Sequence, residues 1–254
     1  MVAGMARRPG IFDQFLLATA VLTRLPVAAT PPQNGAIGAA SWAFPAVGAG
    51  IGGIAGAVMI GAALLGLGAA PAGLLALVAA GLVTGALHED GLADTVDGFG
   101  GGRSRDDKLA IMRDSRQGAY GVLALVLSIG LRAAALASIE PLAGALALIA
   151  AHAASRAWLP VAMRWLDAAR ADGLGAGAGR PPAAAASVAA AIGAVLALAA
   201  LGPLRGLVAL ALSALAVAGA ARLAQRQIGG YTGDVLGAFQ QVGEIVMLLV
   251  AAAK

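Results

Sequence analysis

The sequence predicts an all-α fold: a polytopic integral-membrane bundle of about seven transmembrane helices behind one N-terminal interfacial helix, in a single domain spanning residues 1–254. Three observations carry this. Mean hydropathy is +0.86, and 60% of the 254 residues are hydrophobic. Only 12% are charged, about half the ~25% of a soluble domain. Apolar runs long enough to approach the ~30 Å hydrocarbon core recur along the chain between polar segments. The formal charge of +4 and pI near 10.3 do not indicate nucleic acid, because the cations are thinly spread and follow the loops. The absence of cysteine excludes disulfides and thiol catalysis.

The elements follow in order. The run 11–22 is too short to span and carries Asp13 and Gln14, so it reads as an interfacial helix with Phe12, Phe15 and Leu16 toward lipid. A Pro- and Gly-containing loop occupies 30–42. The first span is expected at 44–67, where Gly50, Gly52, Gly53 and Gly56 permit close helix packing. The second, 72–87, is short, and its helix is expected to continue into an acidic cluster. The third lies at 119–139, the fourth at 141–158, the fifth at 184–201, the sixth at 204–221 and the seventh at 235–253. Arg132 within the third span reads as a structural pair or a snorkelling side chain. His152 and Arg156 stand one turn apart in the fourth. His152 reads as a hydrogen-bonded packing residue and Arg156 as a phosphate contact.

Residues 88–118 hold most of the polar chemistry. Seven of the thirteen acids are here: Glu89, Asp90, Asp94, Asp97, Asp106, Asp107 and Asp114. At about 100° per residue, Asp90, Asp94 and Asp97 share one helix face. Three ionised carboxylates repel, and a divalent cation removes that cost. An oxygen-only donor set suits Mg²⁺, whereas two histidines and no cysteine argue against zinc. Gly98, Gly100, Gly101 and Gly102 suggest a loop for close backbone approach and positive φ. Arg103, Arg105 and Lys108 read as solvated loop cations. Arg113, Asp114, Ser115 and Arg116 re-enter the apolar segment and are expected to face a phosphate ligand. Near the C-terminus, Gly229 to Asp234 form a loop opening a helix, whose amides, with Thr232 and Gly233, suit an anion. Asp234 reads as a cap or a metal ligand. Gln241 and Glu244, one turn apart, can both face the bundle interior.

His88-Glu-Asp-Gly-Leu-Ala-Asp-Thr-Val-Asp-Gly, followed by Ile111-Met-Arg-Asp-Ser-Arg-Gln-Gly, resembles the cobalamin-5′-phosphate synthase (adenosylcobinamide-GDP ribazoletransferase) family. Thr23-Arg-Leu-Pro-Val and Gly229-Gly-Tyr-Thr-Gly-Asp-Val-Leu-Gly-Ala match as well, so the resemblance covers nearly the whole chain. Glu89 departs from it, since an apolar residue is expected there. The resemblance implies an Mg²⁺-dependent transferase that joins adenosylcobinamide-GDP to α-ribazole or its 5′-phosphate and releases GMP. Asp90, Asp94, Asp97 and Asp234 would hold the metal. Arg24, Arg113, Ser115, Arg116, Arg156, Thr232, Gly233 and Gln241 would meet substrate. Asp97 or Asp114 would take the acceptor's proton.

Seven spans also give an orientation. With the N-terminus inside, Arg7, Arg8, Arg24, the 88–118 and 159–183 segments, Arg222 and Arg226 are cytoplasmic, leaving only Arg205 and Lys254 outside. That places the site on the cytoplasmic face of a bacterial inner membrane, with lipid as the surrounding partner and a homo-oligomer left open. Two other classes share some features. Another membrane phosphotransferase or prenyltransferase would use Asp-x-x-x-Asp and Mg²⁺, although Asp94 stands where a CDP-alcohol phosphotransferase motif wants Arg. A transporter would show related halves, and no second acidic block is present.

Overall fold

The computed structural model describes residues 10–29 and 35–253; Arg7, Arg8 and Lys254, used above for topology, lie outside them, as do residues 30–34 of the expected loop. Twelve α-helices are described, with no strands among these residues. Helix α1 (Ile11–Leu22) buries Leu17, Ala18, Thr19 and Leu22 and leaves Phe12 and Phe15 exposed. Gln14 pins it by accepting the Trp42 indole N–H at 2.7 Å. The short α2 (Ala36–Ala40) leads through a 3₁₀ turn into α3 (Phe44–Leu64). After α4 (Ala69–Thr84), α5 (Leu87–Gly101) and α6 (Arg105–Ile111) come α7 (Ala119–Ala137) and α8 (Pro141–Trp165). Helix α9 (Gly173–Gly177) is a single turn, and α10 (Ala183–Leu201), α11 (Pro203–Ile228) and α12 (Gly233–Ala252) complete the bundle.

Among the described residues six helical segments are long and apolar enough to cross a membrane, or seven if α4 and α5, bent by 90°, count together as one broken span. The exposed leucines and valines of α4, α7 and α11 form the lipid-facing surface expected of a multi-pass membrane protein. Helix α8 is the most buried span, and α3 lies along it. Their backbones touch through Gly48, Gly52 and Gly56. A Cβ on Gly52 would lie 2.5 Å from the Leu148 carbonyl oxygen, and one on Gly56 would lie 2.8 Å from the Ala145 Cβ. Gly50 and Gly53, expected to share this role, meet nothing within 4 Å. The packing face is therefore one glycine per turn from Gly48 onward.

The acidic helix does not continue from the second span. Gly85 (φ 66°) and Ala86 (φ 57°) both take left-handed conformations, ending α4 and turning α5 aside. Left-handed backbone is unfavourable for alanine, by roughly 1–2 kcal/mol, so the surroundings must hold it. They do so through a buried polar layer. Arg132 of α7, 3% exposed, donates from Nη1 to Glu89 of α5 at 3.1 Å and to Glu244 of α12 at 3.0 Å. Glu244 Oε2 lies 3.1 Å from His152 Nδ1 and accepts from Gln240 at 2.5 Å. Arg156 packs against His152 at 2.9 Å and against His88 at 3.4 Å. Gln241 donates to Glu89 at 3.1 Å. Arg132 is thus an internal pair and does not snorkel, and Glu89 has a structural share in this layer.

Two outcomes test this packing. Gly52→Ala should lower the thermal midpoint in detergent, at a cost of about 1–3 kcal/mol for overpacking. Gly53→Ala should raise it, since alanine gains up to ~1 kcal/mol in helix propensity; equal shifts would refute the assigned face. Glu244→Leu should destabilise by about 3–5 kcal/mol, because it leaves Arg132 half-paired in the interior. The exposed Glu140 makes no ion pair among the described residues, and Glu140→Gln should leave the midpoint unchanged. A midpoint unmoved by Glu244→Leu would show that the layer contributes no net stability.

A candidate active-site cavity at one end of the bundle

The three sequence segments singled out above meet at one end of the bundle. Helix α5 crosses the start of α12 so closely that a Cβ on Gly91 would sit 2.7 Å from the Asp234 carbonyl oxygen. A Cβ on Gly237 would in turn lie 3.2 Å from the Gly91 Cα. The chain after α1 is tied to the α4–α5 break, where Arg24 N–H donates to the Val83 carbonyl at 2.8 Å and the Arg24 side chain covers Gly85. Below this junction lies a cavity of about 230 Å³. Leu22, Phe44, Leu159 and Met163 form its apolar wall, and His88, Asp90, Arg170 and Asp234 are its ionisable lining.

Asp90 and Asp234 come from different helices into this one cavity. Asp90 is exposed, and its carboxylate carries no hydrogen bond among the described residues. Asp94, one turn along α5, is half-buried, accepts from Gln117 at 3.4 Å, and feels the charges of both Asp90 and Asp234. Thr232 caps α12, its hydroxyl accepting from Val235 N–H at 3.2 Å and donating to Asp234 Oδ2 at 3.1 Å. It is 1% exposed, so its side chain serves the helix end while Gly233 lines the cavity.

Asp97 is placed differently. Its two carboxylate oxygens accept the backbone N–H groups of Gly118 at 2.7 Å and Gly121 at 2.8 Å. A Cβ at either glycine would collide with that carboxylate. Asp97 therefore anchors the start of α7, and the expected three-acid metal face loses its third member. No group of three or more His, Asp or Glu able to hold a metal is present among the described residues. Carboxylates from two helices still fit an oxygen-preferring ion such as Mg²⁺, which commonly takes one or two protein carboxylates and fills its shell with water and substrate phosphate.

Several expected substrate contacts are engaged elsewhere. Arg113 clasps Asp172 at 2.6 and 2.7 Å. Arg116 clasps Asp114 at 2.6 Å, and its side chain and backbone N–H hold the Asp114 carboxyl down at about 2. So firmly ionised a carboxylate is a poor proton acceptor near neutral pH. Arg156 and Gln241, both 1% exposed, belong to the buried polar layer. Arg24 and Ser115 are exposed, and Arg24 makes no ion pair among the described residues. Gly98, Gly100 and Gly102 have no positive φ. They admit the side chains of Met112, Tyr120 and Lys108 against α5. Arg105 and Lys108 are not simply solvated either: Arg105 Nε caps α11 at the Ile228 carbonyl, 2.9 Å away, and Lys108 reaches Gln227.

One cavity residue escaped the sequence reading, which left Arg170 among the loop cations. A short parallel bridge pairs Ala168 with Tyr231. Tyr231 N–H donates to the Asp167 carbonyl at 3.0 Å, and Ala169 N–H donates to the Tyr231 carbonyl at 2.8 Å. This bridge carries Arg170 to Asp234, with Nη2 3.3 Å from Oδ2. Local sequence gave only one signal, an arginine set between Asp167 and Asp172 ahead of the glycines of 173–179.

The chain is 52% identical, over its full length and 98% of the relative, to an adenosylcobinamide-GDP ribazoletransferase of Bradyrhizobium diazoefficiens. It is 47% identical to the enzyme so named in Mesorhizobium japonicum, over 95% of this chain and 93% of that one. The Azorhizobium caulinodans protein of the same name is 50% identical over 82% of each chain. No solved structure matches. With residues 14–252 matching the family model described as cobalamin-5-phosphate synthase, the chain belongs to that family.

Proposed function

We propose that this protein transfers the adenosylcobinamide phosphate of adenosylcobinamide-GDP to α-ribazole or its 5′-phosphate, with Mg²⁺, at the cytoplasmic face of a bacterial inner membrane. The enzyme class itself follows from the family and the full-length relatives: an adenosylcobinamide-GDP ribazoletransferase, a membrane-embedded transferase of cobalamin synthesis. The observation that carries the finer reading is the convergence of Asp90, Asp94 and Asp234, from two helices, with Arg170 beside one cavity.

The reaction balances simply. An acceptor ribose hydroxyl oxygen bonds to the phosphorus nearer the cobinamide, the P–O bond within the diphosphate breaks, GMP leaves, and the hydroxyl proton passes to a base. Asp94 and Asp234 would hold Mg²⁺, whose role is to neutralise the diphosphate and stabilise GMP as it departs. Asp97 and Asp114, both engaged, are withdrawn as bases. Of the three acids beside the cavity, Asp90 alone has a carboxylate free of hydrogen bonds among the described residues, so it would take the proton. Gly233, at the positive end of the α12 dipole, favours an anionic ligand. Arg24, whose side chain covers Gly85, would supply a second cation. At about 230 Å³, the cavity falls below the roughly 300–1,000 Å³ of a drug-sized site. It therefore takes the phosphate portion of the donor, and the bulk of the corrinoid stays outside.

Purified protein should release GMP from adenosylcobinamide-GDP only with an acceptor and Mg²⁺; no GMP with either acceptor would refute the assignment. Asp94→Asn should lower turnover by about a hundredfold or more while leaving folding intact. The 91% exposed Asp106 supplies the control, Asp106→Asn, with normal turnover. Unchanged rate and Mg²⁺ dependence in Asp94→Asn would remove the acidic helix from catalysis. For orientation, a cysteine replacing Arg103, exposed at the site end, should resist an impermeant thiol reagent added outside cells, whereas one replacing Leu204, at the opposite end, should react. The reverse pattern would invert the topology.

A further inference from the structure

We infer that Arg170 is the residue that grips a phosphate oxygen of the donor inside the cavity. The inference rests on the proposed use of a diphosphate ester. It deepens that reading by naming the cation, which neither the motif segments nor the family match supplied.

Among the described residues, Arg170 is the only Lys or Arg in the cavity lining. Its Nη1 is buried and has no hydrogen-bond partner among them. Leaving such a charged donor unpaired is costly, so the position calls for an acceptor oxygen supplied from the cavity. The guanidinium is only loosely held by its own chain. Nη2 lies 3.3 Å from Asp234 Oδ2, and Nε lies 3.9 Å from Asp172 Oδ1. Asp172 is itself committed to Arg113 at 2.6 Å. Neither contact is the two-pronged pairing that guanidinium makes with a carboxylate or phosphate of matching geometry. The side chain is 18% exposed, enough to meet a ligand while remaining shielded from bulk water. The scaffold is firm. The Ala168–Tyr231 bridge fixes the backbone two residues earlier, and a Cβ on Gly175 would meet Gly233 N at 2.8 Å. Arg170 and the start of α12 therefore face one space from two chain segments.

Arg24, unpaired among the described residues, lies over Gly85 and outside the cavity lining, and other basic residues of this end are committed. Arg113 and Arg116 are held by Asp172 and Asp114, Arg156 is buried between two histidines, and Arg105 caps α11. A purely structural role for Arg170, as a strap from the 166–172 segment to Asp234, predicts that removing either partner has the same effect. A phosphate grip predicts opposite effects on anion binding, because Asp234 competes with phosphate for the same guanidinium.

The test is calorimetric binding of inorganic pyrophosphate, without metal, to the purified full chain in phospholipid-free detergent, alongside steady-state kinetics. Arg170→Gln should weaken pyrophosphate binding by about tenfold or more, and Arg170→Lys should fall between it and the parent. Asp234→Asn should bind pyrophosphate at least as tightly as the parent, although it loses Mg²⁺-dependent turnover. In kinetics Arg170→Lys should raise KM for adenosylcobinamide-GDP and leave KM for the ribazole acceptor unchanged. Parental binding by a folded Arg170→Gln protein overturns the inference. If that variant does not fold, weaker binding by Asp234→Asn than by the parent overturns it instead. The enzymatic reading is judged separately by GMP release from the parent: release with Arg170-independent pyrophosphate binding would defeat this inference alone.

Discussion

The structure depends on one costly arrangement, a set of charges buried in the middle of an apolar bundle. Arg132 and Arg156 stand against Glu89 and Glu244, two guanidinium groups against two carboxylates, with His88 and His152 between them. Single charges in such surroundings are strongly disfavoured. Here each carboxylate has a cation or an amide donor, and the set is balanced. Its members come from α5, α7, α8 and α12, so the layer specifies which four helices share the interior. Shape does the rest of the packing: in lipid, apolar side chains gain little from meeting each other, and close backbone approach at Gly48, Gly52 and Gly56 supplies the contact between α3 and α8.

The same layer sets the register of the acidic helix. To deliver Glu89 to Arg132, the chain must turn at Gly85 and Ala86, and the left-handed alanine is the local cost of that turn. Once Glu89 points to Arg132, helical geometry places its neighbour Asp90 about 100° away, and Asp90 is found in the cavity lining. Gly91 against Asp234 and Gly237 against α5 leave no room for rotation. At the far end, Asp97 holds the amides of Gly118 and Gly121. The helix is thus fixed at both ends by acids engaged in contacts with α7, and Asp90 and Asp94 lie between them.

What the sequence revealed, and what it did not, follows from the range of each interaction. Span positions depend on local composition and length: six of the seven expected spans correspond to α3, α7, α8, α10, α11 and α12, while the second, 72–87, corresponds to α4, which reaches spanning length only together with the bent α5. The interfacial helix 11–22 matches α1. The bend itself was hidden, because no proline marks it and the glycine before it is one of 37. A helical wheel correctly groups Asp90, Asp94 and Asp97, yet it cannot show that Asp97 meets two amides more than twenty residues away. The spacing of Gln241 and Glu244 showed that they share an interior face, but not that Arg156 and Gln241 join the buried polar layer and lie away from the cavity. Arg170 was missed for the same reason. Its position depends on a bridge between residues 168 and 231, and no local pattern encodes that pairing.

The division of labour among the acids explains why a metal-dependent reading is compatible with the lack of a compact metal cluster in the described residues. Asp90 and Asp94 lie on α5, and Asp234 lies at the start of α12. Like charges facing one another across two helices repel, and Arg170 offsets only part of that repulsion through a single contact with Asp234. On the proposed reading, a donor diphosphate arriving with Mg²⁺ corrects both imbalances together. The divalent charge answers the carboxylates, and the phosphate oxygens answer Arg170 Nη1. Neither component alone does so, since a bare diphosphate adds anions beside three acids and a bare ion leaves the guanidinium unpaired. A site built this way favours the metal–diphosphate complex over either part, and it keeps a reactive, water-sensitive bond beside an apolar wall of Leu22, Phe44, Leu159 and Met163.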